Sequence, residues 1–517
     1  MKLNYKRTIL VGFAFFLISA FWQAYDATIP VILTNKFGMS QTWSGVIMAL
    51  DNILAVFMLP LFGALSDKCL TRFGKRTPFI TIGTVVAAVA ILCLSFVDNA
   101  QLQNISDVSV IDDPAALEAI YEAQADTVLL TPEGDSVVLC DSFSKEEFTA
   151  IRCKVTDPET GKTITNPDYT NYVAPARQAY AAAKTRENTV PLILFICLLL
   201  VVLVAMATFR SPAVALMPDV TMKPLRSKAN AVINLMGTAG GILVLVLGMV
   251  FSTSAVQNAM MSYTVYYTVI ASIMLGALTI FLCTVREPKW AAEMAADSVK
   301  YGIEEKAGED GEKRNLSPAE VKSLICILLS IALWYFGYNA VTSKYAVYAG
   351  NILDKDYNTT MLLAQGAAIV AYLPAGTIAS KIGRKKTILA GVVMLAAAFG
   401  CAAFMRSSSP TLVMNILFAL AGVAWATINV NSFPMVVEMC SGADIGKYTG
   451  FYYTASMTAQ IITPMLSGFL MDKMGMTVLF PYAAIFVALA FVTMSLVRHG
   501  DAKAVAKQGL EAFADED

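Results

Sequence analysis

The sequence predicts an all-α membrane protein: twelve transmembrane helices in two pseudo-symmetric six-helix bundles, with a small α+β insert on the extracytoplasmic side. Three observations predict it. The 517 residues are 56% hydrophobic and only 15% charged, with a mean hydropathy of +0.60; a soluble chain carries about 25% charged residues. Twelve apolar segments are each long enough to cross a bilayer, which takes about 20 residues. The two halves of the chain also carry copies of one loop motif at corresponding places.

The same composition excludes several chemistries. A net charge of −1 offers no basic stripe for a nucleic-acid partner. The single histidine, His499, lies in the C-terminal tail, so His-ligated metal sites and Ser-His or Cys-His catalysis are not expected in the membrane body. Nine cysteines form no CxxC pair, and neither metal-ligand spacing nor a nucleophile elbow is visible. No enzyme, metal site or cofactor is expected.

The segments fall near 8–33, 41–65, 78–97, 190–217, 229–251, 262–285, 321–343, 358–380, 387–405, 411–437, 447–470 and 477–497. The first is too long for a cleavable signal and lacks a convincing cleavage site, so it is expected to remain as a helix. Fifteen basic residues, Arg7, Arg72, Arg76 and Arg384 among them, lie in short segments on the side of the N-terminus; the other side holds five, Lys36, Lys344, Lys355, Arg406 and Lys473. That bias places both termini in the cytoplasm of a multi-pass plasma-membrane protein. The N-terminal bundle is 1–97 with 190–285, the C-terminal bundle 321–497, and 498–517 a cytoplasmic tail. Residues 286–320, rich in Glu and Lys, read as a mobile cytoplasmic linker.

Residues 98–189 interrupt the pattern outside, with 16 acids against 7 bases. Helices are expected at Pro114–Ala125 and Ala174–Arg186, and hairpins at Val128–Cys140 and Arg152–Thr165, turning at Pro-Glu-Gly-Asp and Asp-Pro-Glu-Thr-Gly. Cys140 and Cys153 are the only cysteines outside. They form either a disulfide or two free thiols.

The repeat begins at Gly63-Ala-Leu-Ser-Asp67-Lys68 with Gly74-Lys75-Arg76, and recurs at Gly376-Thr-Ile-Ala-Ser-Lys381 with Gly383-Arg384-Lys385-Lys386. Asp219 closes the fourth segment and Glu438 the tenth. The intervals from each glycine to each acid, 63 to 219 and 376 to 438, differ by 94 residues, nearly the 92 of the insert. Without the insert the halves superpose, as in a duplicated transporter.

These features resemble the major facilitator superfamily, where such a Gly-Asp-basic loop follows the second and eighth helices. Glycine lets helices approach, and basic loop residues can pair with the acid closing the fourth or tenth helix and latch the inner gate; the alternative is that they only satisfy the topology rule. The latch candidates are Gly63, Asp67, Arg72, Gly74, Arg76 and Asp219, with Gly376, Arg384 and Glu438 in the second copy. The stretch Pro60-Leu-Phe-Gly63, Ser66-Asp-Lys-Cys-Leu-Thr-Arg-Phe-Gly-Lys-Arg-Thr-Pro-Phe-Ile80 is similar to the sucrose-transporter branch of the glycoside–pentoside–hexuronide:cation symporters. Pro212-Ala-Val-Ala-Leu-Met-Pro-Asp219 and Arg226-Ser-Lys-Ala-Asn-Ala231 resemble the region after it. The resemblance implies cation-coupled uptake of a glucoside or disaccharide, of the sucrose or maltose kind. Plant members have an Arg where Val214 stands, and Arg210 lies one turn away on the same face. Melibiose-type relatives place two carboxylates where Ala55 and Leu59 stand, so protons rather than sodium are the expected coupling ion.

Of 77 formal charges, Asp26, Asp51 and Arg210 fall well inside segments. Each costs roughly 2.5–3.5 kcal/mol at the bilayer centre and demands a partner or a wet cavity. Asp26 or Asp51 is expected to carry the coupling proton, with Arg210 as countercharge or sugar-hydroxyl donor; the alternative is a static ion pair. A sugar site also needs aromatic platforms and neutral hydrogen-bonding groups. Candidates are Trp22, Gln23, Tyr25 and Asn52, then Trp334, Tyr338 and Asn339, then Trp425, Asn429, Asn431 and Tyr453. The expected function is proton-coupled sugar symport by a monomer in the lipid bilayer. The competing readings are export of a drug or metabolite by antiport, and a transport-inactive sensor.

Overall fold

The computed structural model describes residues 3–69, 71–156, 161, 163–222, 225–301, 317–437, 439 and 445–499. Its first half runs α1 (Tyr5–Val31, continued as a π turn over Ile32–Lys36), α2 (Gln41–Lys68) and α3 (Thr77–Asn104). The insert follows with α4 (Pro114–Gln124), β1 (Val128–Leu130), β2 (Ser136–Val138), α5 (Leu139–Ser142), α6 (Lys145–Ala150), β3 (Lys154–Thr156), β4 (Thr163–Thr165) and α7 (Ala174–Glu187). Then come α8 (Val190–Val220), α9 (Arg226–Val250), α10 (Thr264–Thr284) and the short α11 (Glu287–Lys300). The second half is α12 (Pro318–Tyr348), α13 (Tyr357–Ile382), α14 (Arg384–Ala402), α15 (Thr411–Val437), α16 (Ile445–Met474) and α17 (Leu479–Ser495).

Ten of these helices are long and apolar enough to cross a membrane. Two more, α13 and α16, are 26 and 30 residues long. They carry polar groups such as Gln365, Tyr372, Gln460 and Thr463, which lower their hydropathy because both helices face the boundary between the halves. One apolar core joins α1, α2, α3, α8, α9 and α10, and a second joins α12 to α17. Large apolar side chains such as Ile82, Phe96, Ile193, Ile325, Val370 and Ile485 are more than half exposed on the flanks. Apolar surface both inside and outside is what a hydrocarbon solvent demands of a helix whose backbone bonds are all internal.

The insert has its own core of Leu117, Ile120, Phe148, Tyr169 and Val173. Its two hairpins pair antiparallel, Val128 with Val138 and Lys154 with Thr165. Both sit where turn chemistry places them. The disulfide alternative is corrected: Cys140 is an exposed free thiol and Cys153 a buried one, whose thiol burial pushes up to about 11.

Two charge assignments also change. Lys36 and Lys344, read as loop residues, are fully buried: the π turn that continues α1 carries Lys36, and α12 runs on as α-helix through Lys344 to Tyr348. Lys36 Nζ donates to Asp98 at 2.6 and 2.7 Å and to the Met261 carbonyl at 2.8 Å. Asp98, which the sequence reading placed in the insert, belongs to α3. Part of the 286–320 linker is likewise structured. Arg7 pairs with Glu293 of α11 at 2.6 Å and lies over the Trp290 ring at 5.2 Å.

Candidate functional site: a charged cavity between the halves

Midway along the bundle a cavity of about 170 Å³ lies between the halves. α1 supplies Trp22, Tyr25 and Asp26, α2 supplies Asp51 and Asn52, and α8 supplies Arg210. Asn339, Thr342 and Ser343 of α12 and Gln460 of α16 face them. The three charges singled out by sequence therefore meet in one space rather than facing lipid. Arg210 lies over the Trp22 ring at 5.7 Å, within reach of a cation–π attraction. Asn52 Nδ2 donates to Asp51 at 2.8 Å. The field of Asp51 reaches Arg210, whereas Asp26 lies in the field of Asp51. No hydrogen bond to the Asp26 side chain is formed among the described residues. Trp22 Nε1 and Tyr25 Oη are buried without a hydrogen-bond partner. Buried donors left in this way cost stability unless a ligand engages them.

Other candidates lie elsewhere. Trp334 is buried in the second core at 1% exposure. Gln23 joins α1 to α13, donating to Tyr357 Oη at 3.2 Å and accepting from Gln365 at 2.6 Å. Asn431 spends its amide on the Thr427 carbonyl of its own helix at 2.8 Å. Tyr338 stacks on Trp425 with ring centroids 3.6 Å apart; neither ring lines the cavity, nor does Asn429. Tyr453 stands within the electrostatic reach of Arg210 and is half exposed. Thr342 and Ser343 were missed, since small hydroxyls on an apolar helix carry no sequence signal of direction.

The hydrogen bonds that join the halves gather at the end that carries the insert. Asp472 of α16 accepts from Gln41 N and Thr42 N, both at 2.7 Å, and from Thr42 Oγ1 at 2.5 Å. A carboxylate thus caps the N-terminus of α2 from across the boundary, where the helix presents unpaired N–H groups and a positive dipole end. Lys344 Nζ donates to the Gln41 carbonyl at 2.5 Å. The helices touch closely here: a Cβ on Gly45 would lie 2.0 Å from the Pro464 carbonyl oxygen. Nearby Asn358 donates to Thr253 at 3.2 Å, and Ser254 donates to Asp356. Burial works to raise the Asp356 carboxyl, and the bonds from Ser254 and Thr359 outweigh it, holding it below the usual range. The insert adds its own links: Met476 N donates to the Pro132 carbonyl at 2.7 Å and Thr165 Oγ1 to Asp354 at 2.6 Å.

At the opposite end the latch candidates form a cluster whose partners, among the described residues, belong to the first half. Arg76 Nε donates to Asp219 at 2.7 Å, Nη1 to Ser66 at 2.5 Å, and Nη2 to Asp67. Arg72 stands apart, over the Phe73 ring. The partner missed by sequence is Glu287 of α11. It is 2% exposed and accepts from Lys75 N, Arg76 N, Thr77 N and Thr77 Oγ1 at 2.7–2.9 Å, capping α3. Gly74, at φ +113°, makes room for it, since a Cβ there would lie 2.2 Å from the Glu287 carboxyl carbon. Gly74→Ala is expected to cost about 1–3 kcal/mol, read as a lowered unfolding temperature and faster proteolysis at α11. In the second copy Gly376 and Arg384 lie on α13 and α14, and Glu438 lies outside the described residues.

Known proteins can now be set beside this geometry. The Major Facilitator Superfamily profile matches residues 327–513, and a profile described as MFS/sugar transport protein matches residues 10–102. The MFS-type transporter ppzB of Metarhizium rileyi is 26% identical over 132 residues, 26% of this chain and 27% of its own length. The chain thus matches about a quarter of that relative. Sucrose transport protein SUC4 of Arabidopsis thaliana is 30% identical over 74 residues, 14% of each chain. The inward open conformation of the xylose transporter XylE from E. coli has a TM-score of 0.57 at 15% identity, covering 96% of this chain and 97% of that one; at that identity the likeness is one of fold. One of these profiles thus matches in each half of the chain, and the likeness of architecture runs over its full length.

Proposed function

We propose that the chain is a proton-coupled sugar symporter working by alternating access, held here with its outer end closed. The insert end is the outside and both termini are cytoplasmic, the assignment favoured by the distribution of basic residues. The observation that carries the reading is the cavity: two carboxylates and one guanidinium share about 170 Å³ with the unpartnered Trp22 Nε1 and Tyr25 Oη. Sugar hydroxyls supply acceptors to such donors, and an aromatic ring offers a face to the sugar's C–H groups. Charge is sparse enough that moving one proton alters the field of the whole site. The local likeness to a sucrose transport protein favours a glucoside or disaccharide as cargo.

Proteoliposome uptake of labelled sucrose, maltose and related glucosides, with and without an imposed pH gradient, tests the reading. The expected result is accumulation above equilibrium when the medium is acid, together with alkalinisation of the medium as sugar enters. Uptake unaffected by a protonophore, or sugar driven outward by proton entry, defeats it. Arg210→Gln is expected to cut uptake at least tenfold, by removing the countercharge of Asp51 and the cation over Trp22.

A further inference from the structure

Arg177 of α7 is only 2% exposed. Its Nη1 donates to the carbonyls of Val108 at 2.6 Å and Val110 at 3.3 Å, which fixes the guanidinium plane. Its Nε and Nη2 are buried and unpartnered. These two nitrogens form the side-on fork that takes paired acceptors of an anion. No carboxylate pairs with Arg177 among the described residues, and the nearby acids are engaged elsewhere. Asp112 accepts from Cys153 N at 2.6 Å, Asp354 from Thr165, and Asp356 from Ser254 and Thr359.

Arg177 also lines a cavity of about 50 Å³, separate from the central one. The walls come from three bodies: Asn35 beyond α1, Ser254 in the α9–α10 loop, the insert through Arg177, and Ala346 and Gly350 at the end of α12. Burying a cation is costly unless a countercharge or dense hydrogen bonding compensates it, and here two of the guanidinium nitrogens have no hydrogen-bond partner.

We propose that this junction is a binding site for a small monovalent anion, of chloride or formate size, held by the free edge of Arg177. Because both halves and the insert contribute wall, the anion binds the outer-closed arrangement in preference to an opened one, and stabilises it by that difference.

The test is thermal unfolding of the full chain in lipid nanodiscs, titrated with sodium chloride or sodium formate against sodium gluconate at matched ionic strength. Chloride and formate are expected to raise the unfolding temperature by about 2–4 °C at saturation, while gluconate, too bulky for the cavity, does nothing. A response to one of the two identifies which anion the site takes. Arg177→Gln is expected to abolish the response. Should that variant fail to fold, Gly350→Leu fills the cavity from the other side, where a Cβ meets nothing closer than the Ser254 carbonyl at 3.8 Å, and is expected to abolish it too. A wild type indifferent to both anions, or a response that survives in the variants that fold, overturns the proposal. No transport is measured, so this result is independent of the symport reading.

Discussion

Asp26→Asn is expected to leave a protein that equilibrates sugar across the bilayer and no longer concentrates it. Asparagine keeps the shape of a protonated aspartate and its hydrogen-bonding capacity, and it cannot release a proton. Of the two cavity carboxylates, Asp26 is the one that has no hydrogen bond or cation beside it among the described residues; Asp51 has the Asn52 amide at 2.8 Å and the field of Arg210. On the proposed symport reading, Asp26 is therefore the carboxylate expected to exchange the coupling proton with the least rearrangement. With one proton per sugar, a gradient of one pH unit is worth about 1.4 kcal/mol, or a tenfold concentration ratio. Asp26→Asn should bring that ratio to one while sugar counterflow persists. Asp51→Asn should behave differently. It removes the negative charge whose field reaches Arg210, so counterflow itself should fall together with stability. If both variants still accumulate sugar uphill, neither carboxylate carries the coupling proton.

The contrast between the two carboxylates also shows what a sequence discloses in a membrane protein. Asp26, Asp51 and Arg210 were legible because a charge inside an apolar run is anomalous by itself; only one kind of place, a shared polar cavity, makes it tolerable. The insert was legible because Pro-Glu-Gly-Asp and its neighbours are local turn chemistry. Trp334 and Asn431 were misread for the opposite reason. A helix apolar on every side has no amphipathic phase, so an aromatic or amide on it cannot be assigned a direction, and both face the second half's own packing. Helix ends were misplaced too. Hydropathy stops at the last apolar residue, whereas α1, α3 and α12 carry Lys36, Asp98 and Lys344 onward into buried positions. Glu287 and Asp472 were invisible because each caps a helix distant in sequence, and a cap in trans leaves no motif.

That last class of contact yields the second large effect. Asp472→Ala is expected to open the outer end. The substitution removes three hydrogen bonds from the N-terminus of α2; bonds to a charged group are worth about 1.5–3 kcal/mol each. It also deprives the buried Lys344 ammonium of the neighbouring carboxylate. Both losses fall on the closed arrangement, since opening admits water to all of these groups. Each 1.4 kcal/mol of that difference moves the equilibrium about tenfold, so a shift of at least tenfold toward the outward-facing form is expected. Ser343 lines the central cavity on the outer part of α12, and a Ser343→Cys probe in a cysteine-free background should react with an impermeant thiol reagent from the insert side at least ten times faster when Asp472→Ala is added. Adding Lys344→Met as well removes the stranded charge together with the bond from Lys344 to the Gln41 carbonyl, and a rate that falls back toward its starting value is the result expected if the stranded charge outweighs that bond. Labelling unchanged by Asp472→Ala would mean that the cap does not hold the outer gate, and labelling raised but not restored by Lys344→Met would place the effect in the lost hydrogen bonds, those of the cap and of Lys344 to Gln41, rather than in the stranded charge.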